Sequence, residues 1–172
     1  MLTRLYEQDF DALYGIMKQS FPTDEMRPYD AQKALFKRDD FFVYGVKNAE
    51  GVLSAFITFW KMNGFTYGEN FAVDKNIRGL GLGSKIISEA LKMSGERFIL
   101  EVEPPETETA KRRIAFYERA GFTLNNHHYI QPPLAKGQNS LKLIIMSTGG
   151  KLAEREFEDV KTQLYKNVYG VE

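Results

Sequence analysis

The stretch 73-VDKNIRGLGLGSK-85 constrains this chain more than any other. Gly79, Gly81 and Gly83 fall at every second position, with Arg78 before them and Ser84-Lys85 after. Phe65 to Val73 upstream is rich in β-branched and aromatic residues and reads as a strand. Downstream, Leu82, Ile86, Ala90 and Leu91 form the apolar stripe of a helix ending near Gly95. Phe98-Ile99-Leu100-Glu101-Val102 is then a short buried strand, stopped by Pro104-Pro105. Strand, helix and strand make one βαβ unit, whose two strands should run parallel. A glycine turn leading into a helix is also a general anion site. The first-turn amides lack intrahelical acceptors, the helix dipole favours negative charge there, and glycine lets the backbone approach a ligand. Arg78 adds a charged donor suited to phosphate. An ordinary strand-to-helix turn satisfies the same pattern, so the loop alone leaves its ligand open.

The rest of the chain supplies a mostly antiparallel context. Residues 2–6 read as a short strand. Phe10, Leu13, Met17 and Phe21 give one apolar face to a helix over Gln8 to Phe21, which Pro22 ends. A second helix covers Tyr29 to Lys37, with Ala31, Ala34 and Leu35 inward. Phe41 to Lys47, Val52 to Trp60 and Phe65 to Val73 are strands separated by the turn signals Asn48 to Gly51 and Asn63-Gly64, and read as a meander. Thr107 caps a helix running to Ala120, with Gly121 in the expected position beyond its end. Phe122 to Gln131 and Leu141 to Ser147 are further strands. A last helix follows Gly149-Gly150, with Leu152, Phe157, Val160, Leu164 and Val168 on one side. No repeat, low-complexity tract or linker interrupts this order. The expected fold is α/β of the α+β kind, with a mixed, mostly antiparallel sheet of about seven strands flanked by helices. Residues 1–172 form one domain, and 150–169 are a C-terminal helical extension.

Composition narrows the function classes. At 172 residues the chain can bury a real core. Lys+Arg and Asp+Glu are both 23, so no basic excess points to nucleic acid. Cysteine is absent, which removes disulfides, a thiol nucleophile and thiolate metal ligation, and two histidines make a poor metal set. The N-terminus has no signal-peptide core, and no apolar run approaches the roughly 20 residues of a membrane span. The expectation is a soluble cytoplasmic protein with no metal, membrane or nucleic-acid partner.

Spacing then tests the loop against familiar phosphate binders. A P-loop needs G-x-x-x-x-G-K-[ST], whereas Ser84 precedes Lys85 here. A Rossmann fingerprint needs G-x-G-x-x-G in a parallel chain. The sixth position is Ser84 counting from Gly79 and Ile86 counting from Gly81, and the upstream strands are joined by hairpins. A third pattern fits. The stretch 78-RGLGLG-83 after Ala72-Val73-Asp74 resembles the pyrophosphate loop of the GCN5-related N-acetyltransferase (GNAT) superfamily, whose pattern (Arg or Gln)-x-x-Gly-x-(Gly or Ala) is met by Arg78, Gly81 and Gly83. The segment 113-RIAFYERAGF-122 is similar to the family's later helix, where a tyrosine shortly precedes a Gly-Phe step. The loop 20-SFPTDEMRPY-29 is similar to that between the first two helices of many members. The resemblance spans roughly residues 1–147. One departure is visible: many members carry an asparagine seven residues before the tyrosine and a small residue four before it, where this chain has Ala110 and Arg113.

The resemblance implies acetyl-coenzyme A as donor and an amine as acceptor, on a small molecule or a protein amino group. Arg78, Gly79, Leu80, Gly81, Leu82, Gly83 and Ser84 would hold the pyrophosphate. Backbone groups of Phe71, Ala72 and Val73 would hold the pantetheine arm where the parallel strands splay. Direct attack by the amine is the simplest chemistry, since no cysteine is available for an acyl-enzyme. Glu69 resembles the family's general base, with Glu103 and its neighbour Glu101 on the next strand as alternatives; alternation puts those two on one face. Tyr117 occupies the family's position for protonating the departing thiolate. Glu25 and Arg27 would wall the acceptor side, and one of His127 and His128 would border it. A non-catalytic acyl-coenzyme A sensor is the alternative function. The last helix either covers the sheet or forms a dimer contact, so monomer and homodimer both remain open.

Overall fold

The computed structural model describes residues 1–79 and 81–171. The strands are β1 (Thr3–Arg4), β2 (Phe41–Lys47), β3 (Leu53–Lys61), β4 (Thr66–Val73), β5 (Phe98–Val102), β6 (Thr123–Leu124), β7 (Tyr129–Gln131) and β8 (Leu141–Ser147). The helices are α1 (Phe10–Ser20), α2 (Tyr29–Ala34), α3 (Leu82–Ser94), α4 (Glu108–Arg119) and α5 (Glu154–Leu164), the last running into a π turn, Tyr165–Tyr169. Short 3-10 turns precede α1 and follow α2, so the expected helices are real but tighter at those ends. Of the residues expected inward on the second helix, Leu35 is buried but Ala31 and Ala34 are exposed, and Gln32 is buried instead.

The described residues form one sheet in the order β1-β2-β3-β4-β5-β8-β6, with β7 also pairing β8. β4 and β5 are parallel, as the βαβ reading requires, and the remaining pairs are antiparallel. The sheet has eight strands rather than about seven, because the expected strand Phe122 to Gln131 is split. Asn125 causes the break. Its buried amide donates to the carbonyls of Thr123 and Ile145 and to Ser147 Oγ, and its Oδ1 accepts from the Leu152 amide. The side chain thereby takes the place of ladder bonds.

Helices cover both faces. α1, α5 and the 3-10 turn Leu35–Lys37 after α2 pack one apolar cluster, including Phe10, Leu13, Leu35, Phe157 and Leu164, against Phe56, Trp60 and Tyr129 of the sheet. α3 and α4 pack the other, with Ile86, Ala90 and Ile114 against Ile57, Phe98 and Met146. The stripe of α5 is thus buried within the chain.

Two features of β4 make the site. First, Ile57 pairs with Phe71 but Phe59 pairs with Gly68, so Thr58 faces both Glu69 and Asn70. This is a β-bulge. It keeps Glu69 on the face of Tyr67 and sends Phe71 to the opposite one, as the two core clusters record. Second, parallel pairing with β5 ends at Gly68 and Leu100. Beyond that point the strands part. Gly68 is required for their close approach, since a Cβ there would sit 2.6 Å from Phe98 Cε1.

Candidate active site

The gap between β4 and β5 opens into a cavity of about 570 Å³. Its walls include Phe71, Ala72 and Val73 of β4, the start of α3, Glu101 of β5, and Phe116 and Tyr117 of α4. Gly79 and Gly81 adopt positive φ of 85° and 73°, which L side chains rarely tolerate, and Gly81 caps α3. The amides of Leu82, Gly83 and Ser84 fall in the first helical turn and have no intrahelical acceptor. All three residues border the cavity, as do Arg78 and Gly79. Leu80 lies outside the described residues. Arg78 folds back on the loop, with Nε donating to the Val73 carbonyl at 3.0 Å and Nη2 3.5 Å from Ser20 Oγ. A smaller groove between α3 and α4 shares Ser84 and Phe116 with the cavity and is edged by Lys92 and Arg119.

Two carboxylates also line the cavity, Glu69 with its side chain buried and Glu101 partly buried. Glu69 Oε1 accepts from Arg27 Nη1 at 2.6 Å, and Oε2 accepts from Trp60 Nε1 at 2.8 Å. The two charged side chains are only 8% and 5% exposed. Each oxygen of Glu69 therefore has a committed donor. Glu101 is held differently, by hydroxyls. Tyr67 donates to Oε2 at 2.9 Å, Tyr129 donates to Oε1, and Tyr169 lies 2.9 and 2.8 Å from the two oxygens. Burial pushes the Glu101 carboxyl from 4.5 up to about 7; the three phenols oppose that shift, and the charge of Glu69 adds to it. Glu101 is thus a carboxylate that gives and takes a proton near neutrality.

Glu103 is more open. It pairs with Arg113 at 3.1 Å, and both side chains are 42% exposed. Glu25 also lines the cavity, and burial raises its carboxyl, helped by the charge of Glu103 and opposed by Arg113. Tyr117 is buried among Phe116 and Phe122, and burial pushes its phenol up to about 12 against the pull of Arg113. It stays protonated across the physiological range and can donate. Two buried amide atoms at the cavity lack partners among the described residues: Asn70 Oδ1 and Gln131 Nε2. Buried polar atoms of that kind are usually paired, so both are fitted to receive a ligand group.

The structure brings the described loop residues Arg78, Gly79 and Gly81 to Ser84, with Glu69, Glu103 and Tyr117, to one cavity. Arg27 does not wall that cavity; it is the counter-ion of Glu69 behind it. His127 stacks on Phe157 at 4.3 Å and contacts the Leu152 carbonyl and Glu154, and His128 is exposed. Neither histidine borders the cavity, because both lie in the break between β6 and β7 and strand alternation does not apply there. Sequence reasoning did not find the tyrosine cage. Tyr67 and Glu69 stand two apart on one strand, which is a local signal. Tyr129 and Tyr169 come from remote segments and give none. Among the described residues no cluster of three or more metal-ligating side chains occurs, and no helix is long and apolar enough to cross a membrane.

Known proteins give the same picture. The model of the acetyltransferase (GNAT) family matches residues 4–122. A Bacillus subtilis (strain 168) protein named a putative acetyltransferase, YjbC, is 29% identical over 161 residues, covering 91% of this chain and 80% of its own. A solved structure from Bacteroides thetaiotaomicron, titled a putative acetyltransferase of the GNAT family, superposes with a TM-score of 0.89 at 31% identity, over 100% of this chain and 99% of that one. The Escherichia coli ribosomal-protein-S18-alanine N-acetyltransferase shares the fold at a TM-score of 0.63 and 22% identity, over 89% of this chain and 95% of its own.

Proposed function

Because the chain belongs to the acetyltransferase (GNAT) family, we propose that it transfers an acetyl group from acetyl-coenzyme A directly to an amine. The observation that carries this reading is the shared cavity, which runs from the first-turn amides of α3 past Tyr117 to the partly buried Glu101. Anion site, proton donor and proton acceptor line one space.

Each group has a separate task. The amides of Gly81 to Ser84, with Gly79, Leu80 and Arg78, hold the pyrophosphate of the donor. Backbone groups of Phe71, Ala72 and Val73 border the gap where β5 no longer pairs and hold the pantetheine arm. An amide there also polarises the acetyl carbonyl. Ala110 and Arg113 offer no asparagine contact to that arm. Glu101 takes the proton of the acceptor amine, directly or through a water. Glu69 is the expectation from the sequence for this task, but its oxygens are tied to the fixed cation Arg27 and to Trp60, whereas the donors on Glu101 are phenol hydroxyls that can rotate or relay a proton. Glu103 is paired to Arg113 and half exposed. Glu101, partly exposed to the cavity, has a proton affinity near neutrality, where a general base works best. The charge of Glu69, balanced by Arg27, adds to the proton affinity of Glu101. Tyr117 donates its phenolic proton to the departing thiolate.

The acceptor end is acidic. Glu69 and Glu103 are balanced by Arg27 and Arg113, which leaves Glu25 and Glu101 to meet a cationic amine, and the free amide atoms of Asn70 and Gln131 suit its polar substituents. Solved structures sharing this fold include spermidine N-acetyltransferases and the S18-alanine enzyme, so both a polyamine and a peptide amino terminus belong in a trial panel. The test is thiol release from acetyl-coenzyme A across such a panel. Amine-dependent release that falls in Tyr117→Phe is expected. Donor binding with no amine-dependent release from any panel member would favour the non-catalytic acyl-coenzyme A sensor.

A further inference from the structure

The chain's last turn reaches the site from well beyond the matched family region, which ends at residue 122. Two of the three phenols on Glu101 lie past that point, Tyr129 and Tyr169. The π turn Tyr165–Tyr169 is wider than a helical turn and ends at Gly170 with a φ of 66°. Consecutive residues in it touch both carboxylate centres. The Val168 carbonyl accepts from Arg27 Nη2 at 3.1 Å, while Nη1 of the same guanidinium holds Glu69. The Tyr169 hydroxyl meets both oxygens of Glu101 and lies 3.1 Å from the Tyr67 hydroxyl. Phe157, Val160 and Leu164 already pack α5 to the sheet, and packing alone requires neither polar contact.

We propose that this C-terminal turn is a working part of the reaction centre. Tyr169 is a positioning residue that fixes the orientation and charge state of Glu101, and the Val168 carbonyl fixes Arg27 and through it Glu69. The proposal rests on the reading of Glu101 as the proton acceptor in acetyl transfer. The groups facing Glu101 are Tyr67 and Glu69 from β4, Tyr129 from β7, and Tyr169 with the more distant Tyr165 from the turn. The phenols of Tyr67, Tyr129 and Tyr169 favour the charged carboxylate, whereas burial and Glu69 oppose it. Removing the Tyr169 hydroxyl therefore moves the Glu101 titration upward, and the acid limb of the rate profile moves with it.

The experiment uses the full chain carrying Tyr169→Phe, which keeps the ring and its packing. Glu101 is titrated by carbon-13 carboxyl NMR, its signal identified by its loss in Glu101→Gln. The pH profile of thiol release is measured in parallel with a panel amine that the wild type acetylates. The expected result is an upward midpoint shift of about 1 pH unit. The acid limb should shift equally, with little change in KM for acetyl-coenzyme A. Tyr165→Phe, whose hydroxyl donates to the Ile130 carbonyl instead, should leave the midpoint in place. An unchanged midpoint in Tyr169→Phe overturns the proposal, whatever the turnover. A shifted midpoint in a protein that acetylates no amine keeps the hold of Tyr169 on Glu101 and counts against the acetyl-transfer reading instead.

Discussion

A partly buried carboxylate that holds its proton tightly leaves a mark on stability as well as on rate. Folded Glu101 titrates at about 7 against an ordinary 4.5, so the native state binds the proton more strongly than the unfolded chain. Its stabilising contribution is complete below pH 4.5 and is lost as pH rises through about 7. Glu101→Gln removes this titration. Urea unfolding at stepped pH should show the variant gaining on the wild type across that window, by up to about 3 kcal/mol. Parallel curves would place Glu101 in an ordinary environment. Arg27→Met tests the neighbouring pair. It leaves Glu69 buried and unpaired, which should cost about 3–5 kcal/mol, and adding Glu69→Gln should recover part of that. Tyr117→Phe should lower turnover about 100-fold while nearly preserving donor affinity; full turnover would make Tyr117 a packing residue. At this scale the sequence was half legible. Tyr117 and the loop residues sit in recognisable local patterns. Glu69 and Glu101 differ in surroundings through Arg27, Trp60, Tyr129 and Tyr169, and tertiary contacts of that kind leave no local trace.

At the scale of elements, the site depends on a bulge, a splay and a turn. Gly81→Val puts a β-branched residue at a φ of 73° and should weaken acetyl-coenzyme A binding, as should Arg78→Ala. Equal affinity in both variants would remove the loop from the donor site. Gly68→Ala drives a methyl into Phe98 at the last parallel pair of β4 and β5. It should cost about 1–3 kcal/mol by thermal unfolding. The order of elements was readable because hydrophobic period and turn residues mark it, and the β4–β5 pair is parallel as the βαβ rule requires. The bulge at Glu69 and Asn70 was not readable, because it depends on Thr58 in the partner strand. Nor was the break at Asn125, where an amide side chain satisfies backbone groups from three segments.

For the whole molecule, the helical layers on the two faces of the sheet divide the labour. α3 and α4 carry the proposed anion site and Tyr117, while the face covered by α1 and α5 holds the two carboxylates and their partners. The cavity joins them where β4 and β5 part. The central claim is that this cavity receives acetyl-coenzyme A with its pyrophosphate at the start of α3. Calorimetric titration with acetyl-coenzyme A, with ATP and NAD as controls, tests it most directly. Micromolar binding of acetyl-coenzyme A alone, weakened in Gly81→Val, is the predicted result. No binding by folded wild-type protein free of co-purified ligand, or equal binding of all three nucleotides, would contradict it.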